Sequence, residues 1–331
     1  MSTHAVNVIE IEEVRHHPNA ERLEIIPVGG WQAVTKKGQF AVGDRAVYVE
    51  PDYTVPTDRP EFAFLAKPGR ERHRLKAVRL RGELSYGLII PLPPHIADRP
   101  VGSNVMAELD IARWEPEVKL TMADELPQDQ WPATFAPKFD VESYEKFPHV
   151  IADSEPVIVT EKVHGANARY TFVDGVFHQG SRQRWLIPDG GHIWGRAAAH
   201  NAAIRQWCEI NPGTVLYGEI YGNVQSLTYG LGNGEVRFIA FAAVKGGRWI
   251  DQGMLFDEMT QASIPHCPVL YRGPFDHDEI RRIAESDSKV ASVAGHMMEG
   301  VVVVPARERF HASIGRVAVK HISDRYWELT D

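Results

Sequence analysis

Short apolar runs, broken by glycine, proline and asparagine, follow one another through residues 5–94, and their tendency to alternate with polar positions predicts strands. Residues 6–11, 23–28, 31–34, 45–49, 75–80 and 86–90 each read this way, with Gly29-Gly30 turning the second run into the third. Several short strands at this turn-punctuated spacing predict a small all-β barrel. Between 101 and 154 the period disappears. That stretch is rich in Pro, Asp, Glu and Trp, and Pro127, Pro132 and Pro137 bar a continuous helix. Such a shift in composition marks a domain boundary.

Beyond it, strands alternate with a few helices. Residues 157–160 and 168–173 predict strands on either side of Lys162 and Gly165, with the lysine at the edge of a tight turn. Gly165 permits a turn or a close approach to a ligand, since it has no Cβ, and Asn167 can reach back toward whatever lies beside Lys162. Residues 214–221, 236–244, 300–304 and 316–320 add further strands. Residues 197–210 predict a helix with Ala198, Ala202, Ile204 and Trp207 in its apolar stripe, and 276–285 a second with charged faces. The order is that of an α+β chain with largely antiparallel strands, lacking the strand–helix alternation of a doubly wound sheet. Gly230-Leu231-Gly232-Asn233-Gly234 predicts a plain loop, because no helix follows it as a dinucleotide-binding turn requires. The expected organisation is an all-β domain over 1–100, a linker and lead-in over 101–137, and a second domain over 138–331.

At 331 residues, 44% hydrophobic and 24% charged, the chain is long enough for two cores. No apolar run approaches the length of a membrane span, and Met1-Ser2-Thr3-His4-Ala5 lacks the pattern of a secretory signal, so a cytoplasmic protein is expected. Cys208 and Cys267 are too few for a disulfide framework and lack zinc-site spacing; both are expected as buried apolar residues. With 36 Lys plus Arg against 44 Asp plus Glu, the net charge of −8 argues against a protein that coats nucleic acid by bulk attraction. One patch runs against that balance: Lys67, Arg70, Arg72, His73, Arg74, Lys76, Arg79 and Arg81 crowd into one segment with few acids. Alone, such a run is a solvated face. Its place on or beside the last strands of the expected barrel favours phosphate contact.

Two segments of the first domain, His17-Pro18-Asn19-Ala20-Glu21-Arg22-Leu23 and 40–49, resemble the opening hairpin and a later turn of OB-fold domains in tRNA-binding proteins. That resemblance implies a face that binds oligonucleotides by aromatic stacking and by Lys and Arg on phosphates. In the second domain Lys162-Val163-His164-Gly165-Ala166-Asn167, Ser181-Arg182, Tyr217-Gly218-Glu219-Ile220-Tyr221-Gly222, Phe238-Ile239-Ala240-Phe241, Glu299-Gly300-Val301-Val302 and Val319-Lys320 stand in sequence order. They resemble the motif series of the covalent nucleotidyltransferases, the RNA and DNA ligases and capping enzymes. His164, where DNA ligases usually carry Asp, is similar to the RNA ligase branch. With an OB-like barrel in front, the whole chain resembles the Deinococcus-type RNA ligases, whose second domain is an adenylyltransferase of antiparallel sheets with flanking helices.

The resemblance implies an ATP-dependent RNA ligase using Mg²⁺ or Mn²⁺. It would join 3′-hydroxyl and 5′-phosphate ends through a lysyl-AMP and an adenylylated 5′ end, on a nicked duplex with RNA at the 3′-hydroxyl side. Lys162 is then the nucleophile. A lysine amine attacks only when deprotonated, so it needs a cationic neighbour or a metal. The charge developing on the phosphate needs cations, for which Lys320 is the candidate. Glu219 and Glu299, next to glycines at strand ends, would hold the metal or orient Lys162 and the ribose. Arg182 would meet a 5′-phosphate or the ribose through paired hydrogen bonds. Phe241 would stack on adenine, with Phe238 in the core. The backbone at Glu161 would read the adenine edge, and His164 and Asn167 would support the site.

Two positions depart from the family pattern. Ala242 follows the stacking aromatic where many relatives carry Asp, and Lys320 is flanked by Ala318 and Ile322 where relatives usually have a second lysine one residue away. Either Lys320 serves alone, or Arg316 or His321 substitutes. Two other readings stay open: a capping-type guanylyltransferase using GTP, and a non-catalytic RNA-binding protein with a degenerate nucleotidyltransferase domain.

Overall fold

The computed structural model describes residues 4–114, 124–138, 140–188 and 191–329. Residues 1–3, read above for a secretory pattern, and 115–123, inside the expected linker, lie outside the described residues.

In the N-terminal part the alternating runs become the strands Val8–Glu10, Leu23–Val28, Trp31–Lys36 and Arg45–Val49. Arg45–Val49 pairs antiparallel with Val8–Glu10 on one side and Leu88–Pro91 on the other. Because successive side chains leave a strand on opposite faces, its Val47 and Val49 enter one apolar cluster with Val8, Phe62 and Leu109. Its Ala46 and Tyr48 enter another with Ile26, Phe40 and Ile89. The expected strand over 75–80 is shorter and moved. Leu75 bonds through its backbone to Asp52 and Tyr53, Arg72–Arg74 pairs with Tyr53–Pro56, and Ala77–Leu80 forms a hairpin with Glu83–Tyr86. Among the described residues the N-terminal strands form four separate ladders rather than one closed barrel.

From Glu142 onward the chain builds two sheets. One has five strands, in the order Glu142–Ser143, Val319–Ile322, Gly300–Pro305, Pro156–Lys162 and Val269–Pro274, and only its first pair is parallel. The other has six: Trp185–Leu186, Val176–Gly180, Ala166–Val173, Val215–Gly222, Val236–Lys245 and Arg248–Trp249. Helix His277–Ala284 covers the five-stranded sheet, burying Ile280 and Ile283 against Val157, Val159, Val301 and Val303. Helices Ile193–His200, Ala203–Ile210 and Gln252–Gln261 cover the six-stranded one, with Trp194, Ile204, Trp207, Leu255 and Phe256 against Tyr170, Leu216 and Phe238. A fully buried aliphatic or aromatic side chain is worth about 1.5–3 kcal/mol, so each sheet has a substantial core of its own.

Four expectations are corrected here. Residues 197–210 are two helices, not one, because Asn201 is extended and its side chain accepts the Ala203 N–H, capping a fresh start. Ala202, at the break, is exposed rather than in a stripe. The expected strand over 316–320 is split between Gly315–Arg316 and Val319–Ile322. Most consequentially, the strands before and after Lys162 do not pair with each other: Pro156–Lys162 belongs to the five-stranded sheet and Ala166–Val173 to the six-stranded one. Lys162 therefore stands where the chain crosses between sheets. A Cβ on Gly165 would lie 2.0 Å from the Ile220 carbonyl oxygen, so this glycine permits a close approach between backbones.

Candidate active site between the two sheets

A pocket of about 500 Å³ opens between the sheets. The five-stranded sheet contributes Thr160, Glu161, Lys162, Val302 and Lys320 to its lining, and the six-stranded sheet Asn167, Glu219 and Phe241. Register explains the gathering. Thr160 pairs with Val302 and Val302 with Lys320, so Lys320 stands two strands away from Thr160 and faces the pocket with Lys162. Asn167 pairs with Glu219 across the other sheet, placing Glu219 inside a strand rather than at a strand end.

Phe241 owes its place to a β-bulge. Gly218 pairs with Ala240 and Tyr217 with Ala242, so Phe241 is the extra, unpaired residue. Bulges re-aim side chains in this way beside active sites. Ala242, where relatives often carry an acid, packs instead with Trp185, Tyr217 and Val244 in an apolar cluster. Phe238 is buried in the main core, as expected.

Lys162 Nζ donates to Glu299 Oε1 at 2.6 Å. Glu299 Oε2 lies 3.5 Å from His164 Nδ1, whose ring also meets Tyr326 Oη at 3.3 Å and Ser226 Oγ at 3.3 Å. The His164 backbone N–H donates to Tyr229 Oη at 2.6 Å. Burial works against the charge on Glu299. The Lys162 ammonium and His164 outweigh it and hold the carboxyl well below the usual range. Glu219 goes the other way: burial pushes it up to about 8, the Glu299 charge adds to the rise, and Lys162 opposes it. Burial also lowers Lys320, helped by the nearby Lys162 charge.

The remaining expected residues divide. Arg182 lines the pocket and is ion-paired with Asp140, which also lies 3.6 Å from Arg113. The Glu161 backbone N–H is already donated to Pro268 O, and its carboxylate is held by Ser288 and the Lys289 N–H. His164 does not line the pocket; it stands behind Glu299. Of the substitutes for a second lysine, Arg316 lines the pocket while paired with Glu308. His321 is turned away and paired with Glu145. Ala318 also lines the pocket, at the place a second lysine side chain would enter it.

The basic segment is largely committed within the chain. Arg72 pairs with Asp110, Arg74 with Asp52, and Arg79 with Glu328, while Lys76 Nζ donates to Leu329 O at 3.4 Å. Arg74 also covers the Trp114 ring at 3.3 Å. Lys67, Arg70 and Arg81 are exposed and have no ion pair among the described residues. Sequence reasoning missed Tyr229, Tyr326, Gln252 and Arg113. Nothing local marks them, since each reaches the site from a distant segment. Both cysteines are buried, and among the described residues no helix is long and apolar enough to cross a membrane.

An OB-fold domain model matches residues 5–92, and the RNA ligase model matches residues 155–322, just over half of the chain. No curated protein matches the chain in sequence. Among solved structures, Naegleria gruberi RNA ligase with PPi is 25% identical, with 98% of each chain covered and a TM-score of 0.80. A mutant of that ligase with ATP and Mn is also 25% identical, at the same coverage and a TM-score of 0.81, and another with AMP and Mn has a TM-score of 0.80. An OB-fold unit followed by two sheets with a lysine in the cleft between them defines a ligase-type nucleotidyltransferase architecture. Within that class, the chain belongs to the RNA ligase family.

Proposed function

We propose that this protein is an ATP-dependent RNA ligase that joins 3′-hydroxyl and 5′-phosphate ends by three nucleotidyl transfers. The observation that carries the reading is Lys162, held 2.6 Å from Glu299 and lining a pocket with Glu219, Phe241, Arg182 and Lys320. In the first transfer the neutral Lys162 amine attacks the α-phosphorus of ATP. A P–N bond forms, the bridging bond to the β-phosphate breaks, and pyrophosphate leaves. The proton that Lys162 donates to Glu299 Oε1 has to depart before attack. AMP then passes to a 5′-phosphate, freeing Lys162, and a 3′-hydroxyl displaces AMP from the activated end.

Phe241 offers its face to the base. Gln252 argues for adenine over guanine: its Nε2 donates to Phe241 O at 3.3 Å, which leaves Oε1 as a buried acceptor without a partner among the described residues. An acceptor there suits adenine's 6-amino group and opposes guanine's O6. The carboxylates of Glu219 and Glu299 are a hard-oxygen donor set that fits Mg²⁺ or Mn²⁺. Such an ion would supply charge neutralisation at the phosphates.

The nucleic acid expected is a nicked duplex with RNA at the 3′-hydroxyl side, held in part by the unit over 1–100. The working division remains 1–100, 101–137 and 138–331. Incubation with Mg²⁺ and ATP labelled at the α-phosphate tests the reading. Wild type takes up one AMP label and Lys162→Ala takes up none. Label from GTP in preference to ATP would turn the reading to a capping-type enzyme. RNA binding with no covalent nucleotide would leave a non-catalytic binder.

A further inference from the structure

We propose that Glu145, His277 and His321 form a metal site, separate from the nucleotide pocket, for a borderline divalent ion such as Zn²⁺. One ligand atom from each lies within 4.8 Å of the other two. Two imidazoles and one carboxylate are a recurrent zinc donor set, with a further position left for water. Glu145 and His321 are both buried and already in contact. His277 adds a second sign: its Nε2 is buried with no hydrogen-bond partner among the described residues. A buried polar atom left unpaired is costly and calls for an explanation. Ser143 Oγ donates to the other Glu145 oxygen, the kind of outer partner that orients a metal ligand.

The distances require a modest adjustment. Around zinc, ligand atoms stand about 3.3 Å apart, so His277 has to move inward and the Glu145–His321 contact has to open. His277 is only half-buried, at the first position of helix His277–Ala284, where a rotamer change is cheap. The surroundings favour a cation, because carboxylates outnumber Lys and Arg in the lining of the adjoining cavity of about 60 Å³, despite Arg281 there.

The place of the cluster says what an ion would do. His321 follows Lys320 on strand Val319–Ile322. The Glu145 carbonyl accepts the Gly30 N–H of the N-terminal unit at 2.9 Å, so closely that a Cβ on Gly30 would lie 2.8 Å from Glu145 Cα. A bound ion would fasten the Lys320 strand, the helix start and the turn at Gly29-Gly30 at one point. This inference is independent of the nucleotidyl-transfer reading.

Co²⁺ serves as the visible probe on the full-length protein after treatment with a chelator. One Co²⁺ per chain is expected to bind with the intense absorption of a four- or five-coordinate site, to be displaced by Zn²⁺, and to raise the Tm. His277→Asn, at a half-exposed position, is expected to fold and to bind at least about tenfold more weakly, without the Tm rise. Glu219→Gln, in the other pocket, is expected to keep the absorption. The proposal is overturned if wild type develops no such absorption, if His277→Asn binds as tightly as wild type, or if Glu219→Gln abolishes the signal. The first outcome would leave Glu145 and His321 as a plain buried ion pair.

Discussion

Lys162 Nζ and Glu299 Oε1 lie 2.6 Å apart although 137 residues separate them in the chain. Antiparallel pairing of Pro156–Lys162 with Gly300–Pro305, which sets Lys162 opposite Gly300, brings them together. His164, with Tyr326 behind it, stands 3.5 Å from the other carboxylate oxygen, so Lys162 sits at the end of a short polar chain.

Glu299→Gln keeps the shape of this anchor and removes its charge, leaving Lys162 and Lys320 without their shared counter-ion. Single-turnover formation of lysyl-AMP is expected to slow by about 10²–10³, the usual cost of removing one preorganised electrostatic partner. A rate close to wild type would show that Glu299 only packs.

Phe241→Ala removes the proposed stacking face without touching Lys162. Base–aromatic stacking is worth about 1–3 kcal/mol, so the KM for ATP in self-adenylylation is expected to rise by about 5–150-fold. Phe241→Tyr restores it. An unchanged KM would place the base elsewhere in the pocket.

The basic segment separates into two groups with different expected outcomes. Replacing Lys67, Arg70 and Arg81 with Gln is expected to weaken binding to a nicked duplex and to flatten the logarithmic salt dependence by about 0.9 for each phosphate no longer neutralised. Self-adenylylation survives. Replacing Arg74 or Arg79 breaks pairs with Asp52 or Glu328 and is expected to lower the Tm. If the first set binds the nicked duplex as wild type does, the segment is not the nucleic-acid surface.

Glu155 accepts two hydrogen bonds of 2.7 Å from Arg309, which hold its carboxyl below the usual range. A depressed carboxyl stabilises the fold above its unfolded pKa, near 4.5, and that contribution is lost as pH falls through the folded value. Glu155→Gln is expected to cost about 1 kcal/mol at pH 7, since the pair is partly exposed. The deficit shrinks in urea unfolding carried out below about pH 4. A deficit that is constant with pH would mean that packing, not charge, is lost.

Much of this protein was legible locally. Strands 23–28 and 45–49 stand where the period of two puts them, and Lys162, Glu219, Phe241 and Lys320, picked out by the order of the motifs, line one pocket, with Glu299 in contact with Lys162. Strand period and residue chemistry are properties of neighbouring residues, so a single sequence carries them. Tertiary structure alone decided which strands pair. It placed the two strands flanking Lys162 in different sheets, set Phe241 on a bulge and brought Tyr326 and Tyr229 behind His164. It also committed Arg72, Arg74 and Arg79 to Asp110, Asp52 and Glu328. Each of these depends on hydrogen-bond register or charge pairing between distant segments, and no local pattern encodes the partner.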